Sequence, residues 1–507
     1  MELIWAINAL QSGRADVAAR LIRHPPEAVT VDFRSPYHLP LWALESVLVS
    51  LLSVPKSVFR NDGRNRVVDC RQFGAAHYIK DLLLKVERAE AKAHLKYGMG
   101  VLELHRIAHR QLQWQRGWFN KNQFYRNLYI FGQGECAAYF ERQYGLTVDQ
   151  FNMVGFGFLI GFNEMRWVNR YSSMEAVGLD GETVELALRR MCLPIEEMRT
   201  EQQNIIGKTS KKSRFRETAY RPSLLRQFPI VAFGARGERL RSPIKDLILQ
   251  RITSGLYYDV VRAGTRIHNE ANRRFESYAR DFITRMMPTW NPVAAYEYRY
   301  MLNRVATPDV LIEVDGVVQI VIECKATKLT LDAQFSVHPL DDADSAYNQI
   351  AKGVAQLWRY FSRVRRGIIA DRPVSPNAYA VVLTLDDWLV MAPELQVEVI
   401  NAATKLLAST EEDAQIMAED RKAPIFCTIE DLELTLSHND ENGTMIALAA
   451  SLTPQHRHWQ LHSIARDLGL QVAEQRGYPF DLGGVIPWWT RIEAEAIRLG
   501  IEDADGT

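Results

Sequence analysis

The stretch Thr307–Lys328, TPDVLIEVDGVVQIVIECKATK, decides how this chain is read. Two runs of branched apolar residues, Val310 to Val314 and Val317 to Ile322, flank Asp315-Gly316. Asp-Gly between such runs predicts a β-hairpin closed by a type I′ turn. The returning strand should bring Asp309, at the open end of the first strand, beside Glu323 and Lys325. Those two stand two apart, so both project from one face of the second strand. Two carboxylates and an ammonium are therefore expected at the mouth of one hairpin. Carboxylate oxygens suit hard divalent cations such as Mg²⁺ or Mn²⁺. A cation held there can polarise a phosphoryl oxygen and acidify a bound water, and a neighbouring lysine can orient that water.

Pro308-Asp309 followed by Glu323-Cys324-Lys325 resembles the signature of the PD-(D/E)XK nuclease superfamily, the restriction-endonuclease-like fold. The order of elements around the hairpin is similar as well. Thr265 to Met287 carries apolar residues at Ile267, Ala271, Phe275, Tyr278, Phe282 and Met286, a helical period ended by Pro288. Within it RRFESYA resembles the family's first-helix motif and points to Glu276, with Glu270 in reserve. The alternating tyrosines of Ala294 to Leu302 predict a strand. Ser345 to Val364 reads as a helix carrying Gln356 and Tyr360 four apart on one face. In some branches of the superfamily such a pair approaches the site or the nucleic acid. The same residues also read as a polar cap on a helix packed through Ile350, Val354, Leu357 and Phe361. A strand over Asn377 to Leu385, a helix over Pro393 to Ala408 and a strand over Ala423 to Thr428 complete the pattern.

The resemblance spans roughly Gly255 to Leu436. It implies an α+β or α/β fold with a mixed central sheet flanked by helices, and a metal-dependent nuclease acting on DNA more readily than RNA. The activity expected is that of an endonuclease, as in bacterial restriction or phage-defence effectors. By analogy Asp309, Glu323, the Cys324 backbone carbonyl and Glu276 would hold Mg²⁺ or Mn²⁺. Lys325 would position the attacking water, and Gln356 and Tyr360 would be auxiliary. The alternative is a non-cleaving nucleic-acid-binding or assembly protein that keeps the fold.

A chain of 507 residues is too long for one ordinary domain. We expect a mostly helical region over 1–207 that senses a signal or binds a partner. A basic linker or nucleic-acid-contacting segment over 208–254, the nuclease-like domain over 255–436 and a helical extension over 437–507 follow. Ala75 to Val86, Ala89 to His109 and Gly181 to Arg190 are the clearest helices of the first region. Glu502 to Thr507 are expected to be disordered. No run reaches the roughly 18 apolar residues of a membrane span, and the start lacks the features of a secretory signal. Five scattered cysteines without a C-x-x-C suit a reducing compartment, so a cytoplasmic location is expected. A homo-oligomer or an activating protein partner fits such large flanking regions.

Zero net charge conceals an asymmetry. Lys208, Lys211, Lys212, Arg214 and Arg216 open a basic stretch that runs to Lys245, while acids dominate Asp386 to Glu441. The basic stretch suits phosphate contact, or it pairs with the acidic region of the same chain. The aromatic-rich stretch Trp114 to Tyr129 reads as a binding surface or as core and rim. Other motifs carry less. Gly207-Lys208-Thr209 lacks the first glycine and the strand of a phosphate-binding loop. His105 and His109 lack a third zinc ligand. Arg262 and His268 fit only a permissive ribonuclease spacing. Gly155, Gly157 and Gly161 read as close-packing glycines.

Overall fold

The computed structural model describes residues 1–30, 32–54, 68–96, 107, 109–111, 114, 120–212, 221–260, 263–329, 344–386, 393–407 and 412–490. It is a mixed α and β structure with two compact units. The first takes Met1–Ala263 and the segment from Leu482; the second takes Gly264–Ala333 and His338–Asp481. Among the described residues no helix is long and apolar enough to cross a membrane.

The first unit is mostly helical, as its sequence predicts, but it also contains a small sheet that the sequence reading did not anticipate. Its strands run in the order Val168–Asn169, Arg239–Arg241, Ile230–Phe233, Cys192–Pro194. Two of them come from the stretch expected to be a basic linker. Arg226 there is buried and gives two hydrogen bonds to Glu45, at 2.9 and 3.1 Å. Arg241 pairs with Glu2 at 3.0 Å, and Lys245 donates to Asn163. The second half of the basic stretch is thus folded structure, because its arginines alternate with the apolar residues Leu224, Leu225, Ile230 and Leu240 that need burial. Of the aromatic stretch, Phe124 and Tyr125 are buried on the helix Lys121–Phe131, while Trp118 and Phe119 lie outside the described residues. Trp114 donates to Glu45 at 2.8 Å. A Cβ on Gly155 would lie 2.6 Å from Ile252 Cγ2, so that glycine does allow close packing. Gly207 lies in the helix Ile195–Lys212. His105 and Arg262 lie outside the described residues.

Elements of the second unit are labelled from its own start. Helix α1 (Thr265–Met286) leads to β1 (Asn291–Ala294), β2 (Glu297–Tyr300), β3 (Asn303–Ala306), β4 (Val310–Val314) and β5 (Val317–Lys325). Then come α2 (Asp344–Arg365), β6 (Val374–Thr384), α3 (Pro393–Leu406) and β7 (Pro424–Thr428). Helices α4 (Ile429–His438), α5 (Glu441–Ser451) and α6 (Leu461–Asp467) close it. The five-stranded sheet has the order β7-β6-β5-β4-β1. Strands β5, β6 and β7 are parallel, while β4 and β1 run antiparallel to their neighbours. Val318 and Ile320 to Cys324 are buried without a break of alternation, as expected of a central strand covered on both faces. Helix α1 packs on β1, β5 and α4; helix α2 packs on β5, β6 and α3.

The Asp-Gly turn forms as its chemistry requires. Val314 pairs with Val317, and Asp315 and Gly316 take φ values of 51° and 76°, both left-handed. One strand differs from expectation. The alternation of Tyr298 and Tyr300 is real, and both are buried. However, they belong to a separate hairpin, β2 with β3, and the strand that joins the sheet is Asn291–Ala294. Periodicity reports which residues need burial and not which sheet provides it.

Part of the acidic stretch is paired within this unit. Asp413, Glu412 and Asp420 pair with Arg359, Arg363 and Arg365 of α2, at 2.8, 2.7 and 2.8 Å. The expected helical extension begins inside this unit, with α4, α5 and α6 part of its body up to Asp481, while Trp488 packs against Phe156 of the first unit's helices at 5.1 Å between rings. Glu502 to Thr507 lie outside the described residues.

Gly316→Val tests the turn. A β-branched residue at a left-handed φ costs about 1–2 kcal/mol, so the unfolding free energy should fall by that amount and the denaturant midpoint should fall with it. An unchanged midpoint would show that the turn does not set the hairpin.

Candidate active site

The hairpin β4–β5 brings the predicted residues together. Val310 pairs with Ile322, which sets Asp309 alongside Glu323. The Cys324 N–H donates to Asp309 Oδ2 at 2.7 Å and fixes that carboxylate across the strand gap. Glu323 is buried, 2 % exposed. Lys325 Nζ donates to Glu323 Oε1 at 2.7 Å and to Gln356 Oε1 at 3.2 Å. The second oxygen, Glu323 Oε2, is buried without a hydrogen-bond partner. An orphaned buried carboxyl oxygen is costly, and a proton or a cation would satisfy it.

Helix α1 supplies Glu276, whose carboxyl is pushed up to about 7 by burial first and by the Asp309 charge second. Burial pushes Glu323 up to about 8; Lys325 opposes that shift, while Asp309 and Glu276 add to it. Asp309 is raised as well, by burial against the opposing Cys324 N–H bond. Lys325 is raised because the Glu323 and Asp309 carboxylates outweigh its own burial. Three acids and one ammonium therefore share too little water for all to ionise. Glu270 is not among them: it pairs with Arg273 at 2.9 Å. The Cys324 thiol is buried and driven well above its usual range, which makes it an unreactive wall.

Helix α2 closes the site, and here the sequence reading missed a residue. A Cβ on Gly353 would lie 2.8 Å from Lys325 Cε and 3.2 Å from Glu323 Cγ. Glycine lets the helix approach this closely without displacing the end of Lys325. The signal available was a glycine inside a strong helical pattern. Gln356, three residues on, reaches Lys325, but Tyr360 does not join it. Tyr360 is buried, raised by burial, with Tyr296, Tyr298 and Arg372 around it. Residues four apart share a helix face but lie about 6 Å apart along the axis, and Tyr360 falls within reach of Tyr296 and Tyr298 instead.

Among the described residues no three His, Cys, Asp or Glu side chains form a metal cage. Mg²⁺, however, borrows only one or two carboxylates and fills its shell with water and phosphate oxygens. Asp309 and Glu323, with the partnerless Oε2 and raised carboxyls, fit that requirement. Lys208, Lys211 and Lys212 fall in the helix Ile195–Lys212 of the first unit, and Arg214 and Arg216 lie outside the described residues.

Compared with protein-family models, with curated proteins and with solved structures, the chain matches none.

The raised carboxyls make stability depend on pH in a definite direction. From the ordinary glutamate value of 4.5 up to about 8, the folded chain holds protons that the unfolded chain has released. Stability attributable to these groups therefore falls as pH rises through that window. Glu276→Gln removes one acid from the cluster. It should raise the melting temperature at pH 8.5 by a few degrees, since about 1 kcal/mol corresponds to 2–4 °C for a unit of this size. At pH 5 the variant and wild type should coincide. A pH-independent difference would place Glu276 outside the cluster.

Proposed function

We propose that this chain is a metal-dependent nuclease that hydrolyses phosphodiester bonds of nucleic acid, DNA before RNA, on a restriction-endonuclease-like core. The observation that carries the reading is the ammonium of Lys325 held between Glu323 and Gln356, beside Asp309, with Glu276 electrostatically joined to them. The order α1, β1, hairpin β4–β5, α2, β6, α3, β7 adds support, because it repeats the order of elements in the superfamily whose motif the hairpin resembles.

Bound Mg²⁺ would supply Lewis-acid polarisation of the phosphoryl oxygen and a water acidic enough to attack near neutral pH. Asp309 and Glu323 would hold it, with the Cys324 carbonyl as a further oxygen ligand. Lys325 donates toward the charge that grows on the phosphate and orients the attacking water. Gln356 fixes Lys325 in that direction. Glu276, raised to about 7, is matched to exchange a proton with the water near neutral pH. The site is better suited to hydrolysis than to covalent catalysis, since its cysteine is inert. Lys208, Lys211, Lys212, Arg214 and Arg216 would add sequence-independent phosphate contacts.

The deciding experiment offers pure protein closed circular DNA, linear DNA and RNA, each with Mg²⁺, Mn²⁺ or EDTA. Cutting of the circle that EDTA abolishes is the expected result; inertness on every substrate would favour a binding protein. Asp309→Ala or Glu323→Ala should lower turnover at least about a hundredfold, the scale of several kcal/mol of transition-state stabilisation. Lys325→Ala should lose turnover yet keep Mn²⁺ affinity in calorimetry, whereas Glu323→Ala should lose both.

Gly353→Ala separates positioning from stability. Alanine favours the helix by about 0.5–1 kcal/mol, which offsets part of the clash. The flexible end of Lys325 must move, and a misplacement near 1 Å costs about a hundredfold in rate. Turnover should fall steeply while the melting temperature changes little. A variant with normal turnover would detach Lys325 from catalysis.

A further inference from the structure

Away from the carboxylate cluster, the second unit has a cavity of about 330 Å³ beside the edge strand β7, within the size range of small-molecule sites. Its wall includes Trp358, Arg421, Lys422, Arg457, His458 and Trp459. The acids nearby in sequence are engaged elsewhere: Glu412, Asp413 and Asp420 with the arginines of α2, and Asp467 with His456. Arg421, Lys422 and Arg457 belong to none of those pairs. Lys422 Nζ donates to the Pro376 carbonyl and the Glu394 carboxylate acts on His458, so Arg421 and Arg457 are the cations that line the concavity outside those ion pairs, a field that draws an anion.

The aromatic residues narrow the choice. Trp358 is buried at 3 %, with its indole N–H donated to the Lys422 carbonyl at 2.8 Å. Trp459 is 47 % exposed. It is held edge to face by His456, at 5.4 Å between rings, and its orientation is therefore set. His458 stands in the left-handed region at φ 72°, rare for a residue with a side chain. Its Nδ1 lies 2.7 Å from Gln396 Oε1 and donates to it. His458 Nε2 is then the ring's second polar atom, able to meet a ligand. An exposed indole and a histidine ring thus line the cavity together.

We propose that this cavity binds a nucleoside phosphate, with the base stacked on Trp459 and the phosphate met by Arg421 and Arg457. Simple anions would use the cations and leave the indole idle. Base stacking on an aromatic ring together with arginine contacts uses both. The nucleotide is either free or an unpaired unit of a strand, and the chemistry of recognition is the same. The inference stands on this geometry and does not depend on the nuclease reading.

The test is calorimetric titration in EDTA, where no turnover occurs. The probes are AMP, inorganic phosphate, a glutamate-rich peptide and a 5′-phosphorylated single-stranded oligonucleotide. AMP should bind saturably at one site per chain. Arg421→Ala, Arg457→Ala and Trp459→Ala should each weaken it by about tenfold or more, the size of a lost charge-assisted bond or stacking contact. Inorganic phosphate should bind at least about tenfold more weakly than AMP. If the oligonucleotide displaces AMP, the nucleotide is presented in a strand; if it does not, the ligand is the free nucleotide. Either outcome supports the site. Absence of saturable binding by both AMP and the oligonucleotide would overturn it, as would affinity unchanged in the three variants. Phosphate or the acidic peptide binding as tightly as AMP would remove the aromatic half of the argument. Binding lost in Lys325→Ala but kept in Arg421→Ala would assign the nucleotide to the carboxylate cluster instead, and so separates failure here from failure there.

Discussion

A carboxylate buried at the end of a central strand governs the architecture of the second unit. Glu323 is covered by protein, and a lone buried charge is so unfavourable that it either finds a partner or keeps a proton. Lys325 is that partner, at 2.7 Å. One ammonium cannot offset Asp309, Glu323 and Glu276 together, and the carboxyls respond by holding protons more tightly. The type I′ turn fixes the register that puts Asp309 opposite Glu323. Gly353 lets α2 press against the pair. The frustration is confined to one strand end, and residues that tolerate it surround it. Such confined frustration is characteristic of functional sites.

Helix α2 shows how one amphipathic segment serves several purposes. Ile350, Ala351, Val354, Leu357 and Phe361 are buried in its apolar stripe, and burying each large side chain contributes about 1.5–3 kcal/mol. Its middle carries Gly353 and Gln356 to the carboxylates. Its C-terminal half carries Arg359, Arg363 and Arg365, which gather the acids of 412–420 by charge-assisted bonds. With those acids engaged, Arg421 keeps its charge for the cavity beside β7. Charge pairing at one place thus shapes the field at another.

The motif-bearing hairpin was legible in the sequence because its signals are local. Asp-Gly specifies the turn, the apolar runs specify two buried strands, and the two-residue period places Glu323 and Lys325 on one face. The elements α1, α2, β6, α3 and β7 followed from hydrophobic period and from Pro and Gly punctuation, all short-range properties of the chain. Glu276 was reachable only through its resemblance to a family motif.

Tertiary structure decided what depends on partners distant in sequence. Tyr298 and Tyr300 were read as a sheet strand, and packing made them a separate hairpin. Gln356 and Tyr360 look alike on a helical wheel, yet only Gln356 reaches Lys325, because one turn sets the two about 6 Å apart along the axis. Gly353 mattered through atoms of residues 28 and 30 positions away. The basic stretch after Lys208 reads as uniform charge, but Arg226 is buried on Glu45, 181 residues distant. Sequence alone determined the hairpin and the residue types at its mouth; only the fold decided which neighbours stand close enough to change their charge.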